Sequence, residues 1–98
     1  MAHILLVDDD MDLVQVNTAV LEQRNHQVTA AYSAEEARET LAKIQPDALV
    51  VDVMMETSSA GFDLAREVNR RFPGTPIVML TGVREAMNVK YNIEPDET

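Results

Sequence analysis

Short runs of apolar residues alternate along the chain with longer segments in which apolar positions recur at helical spacing. The apolar runs occupy residues 4–7, 28–32, 48–51 and 76–80. Short, almost continuously apolar runs of this kind are typical of strands that are buried on both faces of a sheet. The pattern therefore predicts four strands.

Three segments between these runs have apolar residues three or four positions apart, as on one face of a helix. We expect the first helix to end near residues 24–26. The second should begin at a capping box of Ser33 and Glu36 and stop at Pro46. The third should end before the turn at residues 73–74. The predicted apolar positions are Leu13, Val14, Val16, Val20 and Leu21 in the first helix, Ala34, Ala37, Leu41 and Ile44 in the second, and Leu64, Val68 and Phe72 in the third.

The order of these elements predicts an α/β fold with a doubly wound parallel sheet. Strands that alternate with helices form parallel sheets with right-handed crossovers, and helices cover both faces. After the fourth strand the pattern weakens: residues 84–89 suit one or two helical turns, and residues 92–98 are mostly polar. We treat residues 1–98 as one domain, since a chain of 98 residues leaves no room for a second.

Composition and charge narrow the possible functions. Eight basic and 17 acidic side chains give a net charge of −9, which argues against nucleic-acid binding by this domain because such binding relies on Lys and Arg. The chain contains no cysteine, so a disulfide framework and a thiolate zinc site are excluded. No apolar stretch is long enough for a signal peptide or a membrane-spanning helix. We therefore expect a cytoplasmic protein without membrane contact.

Polar residues that suit phosphoryl chemistry follow three of the predicted strands. The first strand ends in the aspartates at 8–10, the third in Asp52 and the fourth in Thr81. In parallel sheets, ligands bind at the carboxyl ends of the strands, where the strand order reverses. These residues should therefore meet at one edge, although they are far apart in the sequence.

Three carboxylates at one edge repel each other unless a cation lies between them. Mg²⁺ prefers oxygen ligands and leaves positions open to phosphate oxygens. A neighbouring carboxylate can then attack phosphorus and form an acyl phosphate, and a hydroxyl such as that of Thr81 can hydrogen-bond the new phosphoryl group.

Each of these groups also has a purely structural interpretation. The aspartates at 8–10 could cap the first helix, since Asp is favoured at helix N-termini. Asp52 could be an ordinary loop residue, and Thr81 could belong to an ordinary turn. The combination is more specific than its parts, because all three groups fall at the same edge of one βα series.

Four stretches of the chain resemble bacterial response regulator receiver domains, over residues 3 to about 90. They are Ile4-Leu5-Leu6-Val7-Asp8-Asp9-Asp10, Pro46-Asp47-Ala48-Leu49-Val50-Val51-Asp52-Val53-Met54-Met55, Gly61-Phe62-Asp63-Leu64 and Thr75-Pro76-Ile77-Val78-Met79-Leu80-Thr81-Gly82. The resemblance implies a flavodoxin-like receiver fold. It also implies that the domain takes a phosphoryl group from a sensor histidine kinase or a phosphotransfer protein and then changes conformation.

The resemblance also assigns roles to individual residues. Asp52 would be the phosphoacceptor and Thr81 the hydroxyl that switches conformation. Mg²⁺ would be bound directly by Asp9, through water by Asp8, and further by Asp52 and the backbone carbonyl of Met54. Such a domain catalyses only its own phosphorylation and dephosphorylation and is not an enzyme in the usual sense.

The chain departs from the receiver pattern in three places. Glu56 stands where the family usually has Pro, and the loop between Asp52 and Gly61 is about one residue longer than usual. Family members also carry a Lys after a fifth strand, and Lys90 lies too close to Thr81 to align with it. We therefore expect the sheet to be truncated after the fourth strand, without the Lys and the last helix. A sheet edge exposed in this way could pair with a second copy in a homodimer.

Two other functions fit parts of the pattern. A phosphatase of the haloacid dehalogenase type has an Asp-x-Asp motif after its first strand, as at residues 8–10, and a later strand that ends in Thr, as at Thr81. That family also needs a Lys and a late acidic pair, and it leaves Asp52 unexplained. The second alternative is a receiver-like interaction module that no longer uses phosphorylation.

Overall fold

The computed structural model of the chain describes residues 1–53 and 59–80. Strands and helices alternate along them in the predicted order. They are β1 (His3–Val7), α1 (Met11–Gln23), β2 (Gln27–Ala31), α2 (Ala34–Leu41), β3 (Ala48–Asp52), α3 (Ala60–Arg71) and β4 (Ile77–Leu80). The four strands are parallel and lie in the order β2-β1-β3-β4. This confirms the predicted α/β fold with a parallel sheet, and the strand order reverses between β1 and β3.

One face of the sheet forms the tightly packed core of the described residues. Leu5 and Val7 of β1 lie beside Leu49 and Val51 of β3, and all four side chains are fully buried. The buried apolar residues of the helices that pack on this face are Ala34, Ala37 and Leu41 of α2 and Leu64 and Val68 of α3. Burial of large aliphatic side chains stabilises a fold by about 1.5–3 kcal/mol each, so this face supplies most of the hydrophobic stabilisation.

The other face is only partly covered by α1. Val14 is the buried residue of this helix, whereas Val16 and Val20 are 58% and 50% exposed. Both valines lie in the first helix, as their spacing predicted, but the described residues leave them exposed. Beside α1 lies an open groove of about 360 Å³. Its lining residues are Ile4, Leu6, Asn17, Val20, Leu21, Ala48, Val50, Val78 and Leu80.

The ends of the first two helices follow local hydrogen-bonding rules. Asn25 adopts a left-handed conformation (φ 68°) just after α1, as is common where helices end. Ser33 caps α2 by accepting a hydrogen bond from the Glu36 N–H at 3.0 Å. The Glu36 carboxylate accepts from the Tyr32 N–H at 2.5 Å, one residue before the cap. The predicted capping box is thus present with its return bond shifted by one residue.

The predicted limits of two elements need correction. α2 ends at Leu41, whereas the sequence predicted a helix that reaches Pro46 and includes Ile44. The N–H groups of Lys43 and Ile44 both donate to the carbonyl of Thr40, so the chain tightens into a turn before the proline. β2 covers Gln27–Ala31, one residue earlier than predicted.

Some expectations lie outside the described residues. They concern the helical turns at 84–89, the polar segment 92–98, and the truncation of the sheet with its missing Lys and last helix. In the part of the chain that the structure describes, no helix combines the length and apolar character that crossing a bilayer requires.

Candidate functional site: a carboxylate cluster at the carboxyl end of the sheet

Asp8 is a buried carboxylate at the end of the central strand. Its backbone N–H donates to the carbonyl of Ala31 at 3.1 Å, which continues the pairing of β1 with β2 by one residue. The side chain is only 1% exposed, and its Oδ1 accepts a hydrogen bond from the Asp10 N–H at 3.0 Å. The strand and the turn after it therefore hold Asp8 in a fixed position.

The three consecutive aspartates have different roles in the local structure. Asp10 is the N-cap of α1, where its Oδ1 accepts from the N–H groups of Asp12 at 3.0 Å and Leu13 at 3.2 Å. The capping interpretation is therefore correct for Asp10. Asp9 lies between the buried Asp8 and this cap, and its side chain is exposed.

Asp52 ends β3 next to Asp8. β1 and β3 are neighbours with Val7 in register with Val51, so the residue that follows each valine lies at the same edge. Asp52 is 6% exposed. One carboxylate oxygen from each of Asp8, Asp9 and Asp52 lies within 4.8 Å of the others. The structure thus brings together three of the residues that the sequence singled out.

Burial and neighbouring like charges together disfavour the ionised form of Asp8 in this cluster. Burial raises the pKa of Asp8 from 3.8 to about 6. The backbone N–H of Asp10 opposes this rise, and a side-chain hydrogen bond and charge repulsion from Asp52, with repulsion from Asp9, add to it. Nearby like charges and removal from water both disfavour the ionised form of a carboxyl group. A positive charge between these oxygens would offset the part of the pKa rise that comes from charge repulsion.

The donor set suits a hard divalent cation. Three carboxylate oxygens close together, two from buried groups and one from an exposed group, match the oxygen preference of Mg²⁺. The exposed side, at Asp9, would leave room for water and for phosphate oxygens. The residues present therefore fit the predicted ion.

Two predicted site residues, Met54 and Thr81, lie outside the described residues, as does Glu56. The position of β4 is relevant to Thr81, which follows this strand in the sequence. Leu80 is in register with Asp52, and the Val53 N–H donates to the Leu80 carbonyl at 2.8 Å. The strand that leads to Thr81 therefore runs directly beside the strand that ends in Asp52.

Gly61, which has no role predicted from the sequence, lies against the site. A Cβ atom at this position would collide with the backbone carbonyl oxygen of Asp52 and would lie 3.1 Å from Cα of Val53. The sequence did contain one indication of such a role. A glycine near the start of a predicted helix lowers helix propensity, so its presence there points to a contact that requires it.

Comparisons with known proteins agree with this architecture. The family model of the response regulator receiver domain matches residues 4–96. The response regulator SaeR of Staphylococcus aureus is 31% identical over 91 residues, which are 93% of this chain and 39% of SaeR.

Solved structures show the same fold. The non-phosphorylated HemR receiver domain of Leptospira biflexa is 29% identical with a TM-score of 0.74, covering 93% of this chain and 75% of that one. The response regulator TrrA of Thermotoga maritima, solved in complex with Mg(2+)-BeF, is 22% identical with a TM-score of 0.77, covering 91% of this chain and 77% of that one. The likeness to TrrA is one of fold.

A parallel sheet with acidic residues at its carboxyl end, together with a family match over most of the length, defines the class of protein. The chain belongs to the response regulator receiver domain family. Domains of this family are signalling domains of two-component systems. The chain spans 39% of the length of the SaeR proteins that it matches, so what a whole protein of this kind does is considered below as a proposal.

Proposed function

We propose that this receiver domain accepts a phosphoryl group on Asp52 in a Mg²⁺-dependent reaction. The observation that supports the proposal most strongly is the meeting of Asp8, Asp9 and Asp52 within 4.8 Å at the carboxyl end of the sheet. A cluster that raises the pKa of one of its own members is costly to the fold. Strongly perturbed groups of this kind concentrate at functional sites.

Asp52 is the nucleophile of the proposed reaction. One of its carboxylate oxygens attacks phosphorus and forms an acyl phosphate, while the bond between phosphorus and the donor breaks. With a phosphohistidine donor, the electron pair of that bond stays on the imidazole nitrogen, which regains a neutral ring after protonation. Asp52 suits this step because it is 6% exposed at the end of β3, and a carboxylate held in position lowers the entropic cost of reaction.

Asp8 and Asp9 have the complementary role of binding the cation. Asp9 would bind Mg²⁺ directly and Asp8 through water, with Asp52 and the carbonyl of Met54 as further ligands. The bound ion would neutralise charge on the phosphoryl oxygens. TrrA was solved with Mg(2+)-BeF, which agrees with the proposal at the level of fold.

The partner and the response follow from family membership. We propose a sensor histidine kinase or a phosphotransfer protein of the cytoplasm as the phosphoryl donor. The hydroxyl of Thr81 would hydrogen-bond the phosphoryl group and so couple phosphorylation to a change of conformation. We also propose that a second copy pairs with this domain through an exposed sheet edge, independently of the phosphoryl chemistry.

An interaction module without phosphorylation is the competing function. Such a module would bind Mg²⁺ through the same carboxylates and form no acyl phosphate. The haloacid dehalogenase interpretation has lost its basis, because the chain belongs to the receiver family and Asp52 has a place in that family's pattern.

Phosphorylation with a small donor tests the proposal. Full-length protein is incubated with acetyl phosphate, with Mg²⁺ or with EDTA, and its intact mass is measured. We expect one added phosphoryl group that requires Mg²⁺ and is absent in Asp52→Asn.

Asp47→Asn is the matched control, because Asp47 just precedes the strand that Asp52 ends and has the same side chain. It should be labelled like the wild type. Equal labelling of Asp52→Asn would refute the assignment. Mg²⁺ binding without any labelling of the wild type would favour the interaction module.

A further inference from the structure

The first turn of α3 lies directly against the backbone of the proposed phosphoacceptor. Gly61 is the second residue of this helix. A Cβ on Gly61 would collide with the carbonyl oxygen of Asp52 and would lie 3.1 Å from Cα and 3.2 Å from the carbonyl oxygen of Val53. All three neighbours are backbone atoms, so no side chain can rotate to make room.

Space, and not backbone conformation, is the reason for glycine at this position. No glycine among the described residues has a positive φ, so alanine could adopt the backbone angles of Gly61. Alanine would also favour a helix more than glycine does. The close approach to Asp52 and Val53 is therefore the feature that a larger residue cannot reproduce.

The helix cannot easily move away to admit a side chain. Leu64 and Val68, one and two turns further along α3, are 0% and 2% exposed in the core. The carboxylate of Glu67 also pairs with Nε of Arg38 in α2 at 2.7 Å. With α3 held from the far side, much of the displacement would fall on the end of β3.

From this contact we infer that Gly61 is a positioning residue for the phosphoacceptor site. Because Gly61 has no Cβ, α3 packs directly against the Asp52–Val53 peptide. This contact fixes where the Asp52 carboxylate lies relative to Asp8 and Asp9. The inference rests on the proposed function of Asp52. A displacement of about 1 Å at a reacting group can slow a reaction by about 100-fold, so a small shift of this backbone has a large effect.

Gly61→Ala tests the inference in the full-length protein. We expect a dissociation constant for Mg²⁺ at least about tenfold higher than in the wild type and a comparable loss in the rate of phosphorylation by acetyl phosphate, while circular dichroism stays native. Gly74→Ala is the matched control. A Cβ at Gly74 would meet no atom within 4 Å, so this variant should behave as the wild type.

A second control distinguishes an effect on the position of the Asp52 carboxylate from an effect on the stability of the fold. Val68→Ala removes core contacts two turns further along the same helix, and folded Val68→Ala should bind Mg²⁺ and take phosphate like the wild type. If Gly61→Ala and Val68→Ala change Mg²⁺ affinity equally, or if neither changes it, Gly61 has no positioning role.

A measurement on the wild type covers the case in which Gly61→Ala does not fold. In a Mg²⁺ titration followed by amide NMR, the Gly61 resonance should shift in step with that of Asp52, and the Gly74 resonance should stay in place. A Gly61 amide that does not respond while Asp52 does would overturn the inference. If the wild type binds Mg²⁺ but takes no phosphoryl group, the proposed function fails, and the Mg²⁺ affinities still decide the role of Gly61.

Discussion

Polar groups are arranged differently at the amino end and at the carboxyl end of the sheet. At the amino end, the His3 N–H donates to Oδ2 of Asp47 at 2.8 Å, and the Asp47 N–H donates to the His3 carbonyl at 2.7 Å. The His3 ring pairs with the Thr29 hydroxyl at 2.7 Å. Each of these hydrogen bonds at the amino end pairs a donor with an acceptor of the protein.

The carboxyl end instead brings like charges together. Asp8 and Asp52 are buried, and their carboxylate oxygens lie within 4.8 Å of each other and of Asp9. At the amino end the described contacts pair a donor with an acceptor, whereas at the carboxyl end burial and neighbouring carboxylates raise the pKa of Asp8 to about 6. The amino end thus contributes to the stability of the fold, and the carboxyl end is where we propose that Mg²⁺ binds.

The largest effect should come from removing a charge at the carboxyl end. In Asp9→Asn, we expect Mg²⁺ affinity to fall at least about tenfold, or about 1.4 kcal/mol, because one of three anionic ligands is lost. The metal-free fold should be at least as stable as the wild type, since repulsion decreases. Thermal melts with Mg²⁺ and with EDTA measure both effects.

Asp10→Asn is the control for Asp9→Asn. It removes the same charge one residue away and keeps the helix cap, since Asn and Asp cap helices about equally well. This variant should keep most of the Mg²⁺-induced shift in melting temperature. An unchanged shift in Asp9→Asn would remove Asp9 from the site.

A smaller effect should appear in the pH dependence of the metal-free protein. The pKa of Asp8 is raised to about 6 in the folded state, so the folded state binds the proton more tightly than the unfolded chain does. Stability should therefore increase as the pH falls from 7 to 5, by about 1 kcal/mol from this group. Urea unfolding in EDTA at both pH values measures the change.

Asp8→Asn isolates that contribution, because the variant has no carboxyl group to titrate at this position. Its stability should gain about 1 kcal/mol less than that of the wild type between pH 7 and pH 5. Equal gains in the two proteins would show that the pKa of Asp8 is not raised.

The smallest effect should come from the amino end. Asp47→Ala removes the acceptor of an exposed hydrogen bond to the His3 N–H, so the free energy of unfolding should fall by about 0.5–1 kcal/mol, with or without Mg²⁺. Asp47→Asn retains an acceptor oxygen and should cost less. A Mg²⁺-dependent loss in Asp47→Ala would contradict the separation of the two ends.

The strand pattern was predictable because β1, β3 and β4 are short apolar runs whose ends are marked by polar residues. The meeting of Asp8 with Asp52 also followed from sequence, since parallel strands present their carboxyl ends at one edge. Helical spacing identifies which residues share a face, but not what covers that face. For this reason the spacing placed Val16 and Val20 in the first helix without showing that they are exposed.

Other features depend on tertiary contacts that a sequence does not display. α2 ends before Ile44 because the chain must turn to enter β3, and the proline rule constrains only the residues near Pro46. The burial that raises the pKa of Asp8 and the contact of Gly61 with Asp52 arise only when distant elements pack together.

The proposed role of Asp52 is tested by finding which residue carries the phosphoryl group. Full-length protein is treated with acetyl phosphate and Mg²⁺, reduced with borohydride, which converts an aspartyl phosphate to homoserine, and then sequenced by mass spectrometry. We expect homoserine at position 52 alone, and none when EDTA replaces Mg²⁺. Homoserine at another aspartate, or unmodified Asp52 in a protein shown to bind Mg²⁺, would contradict it.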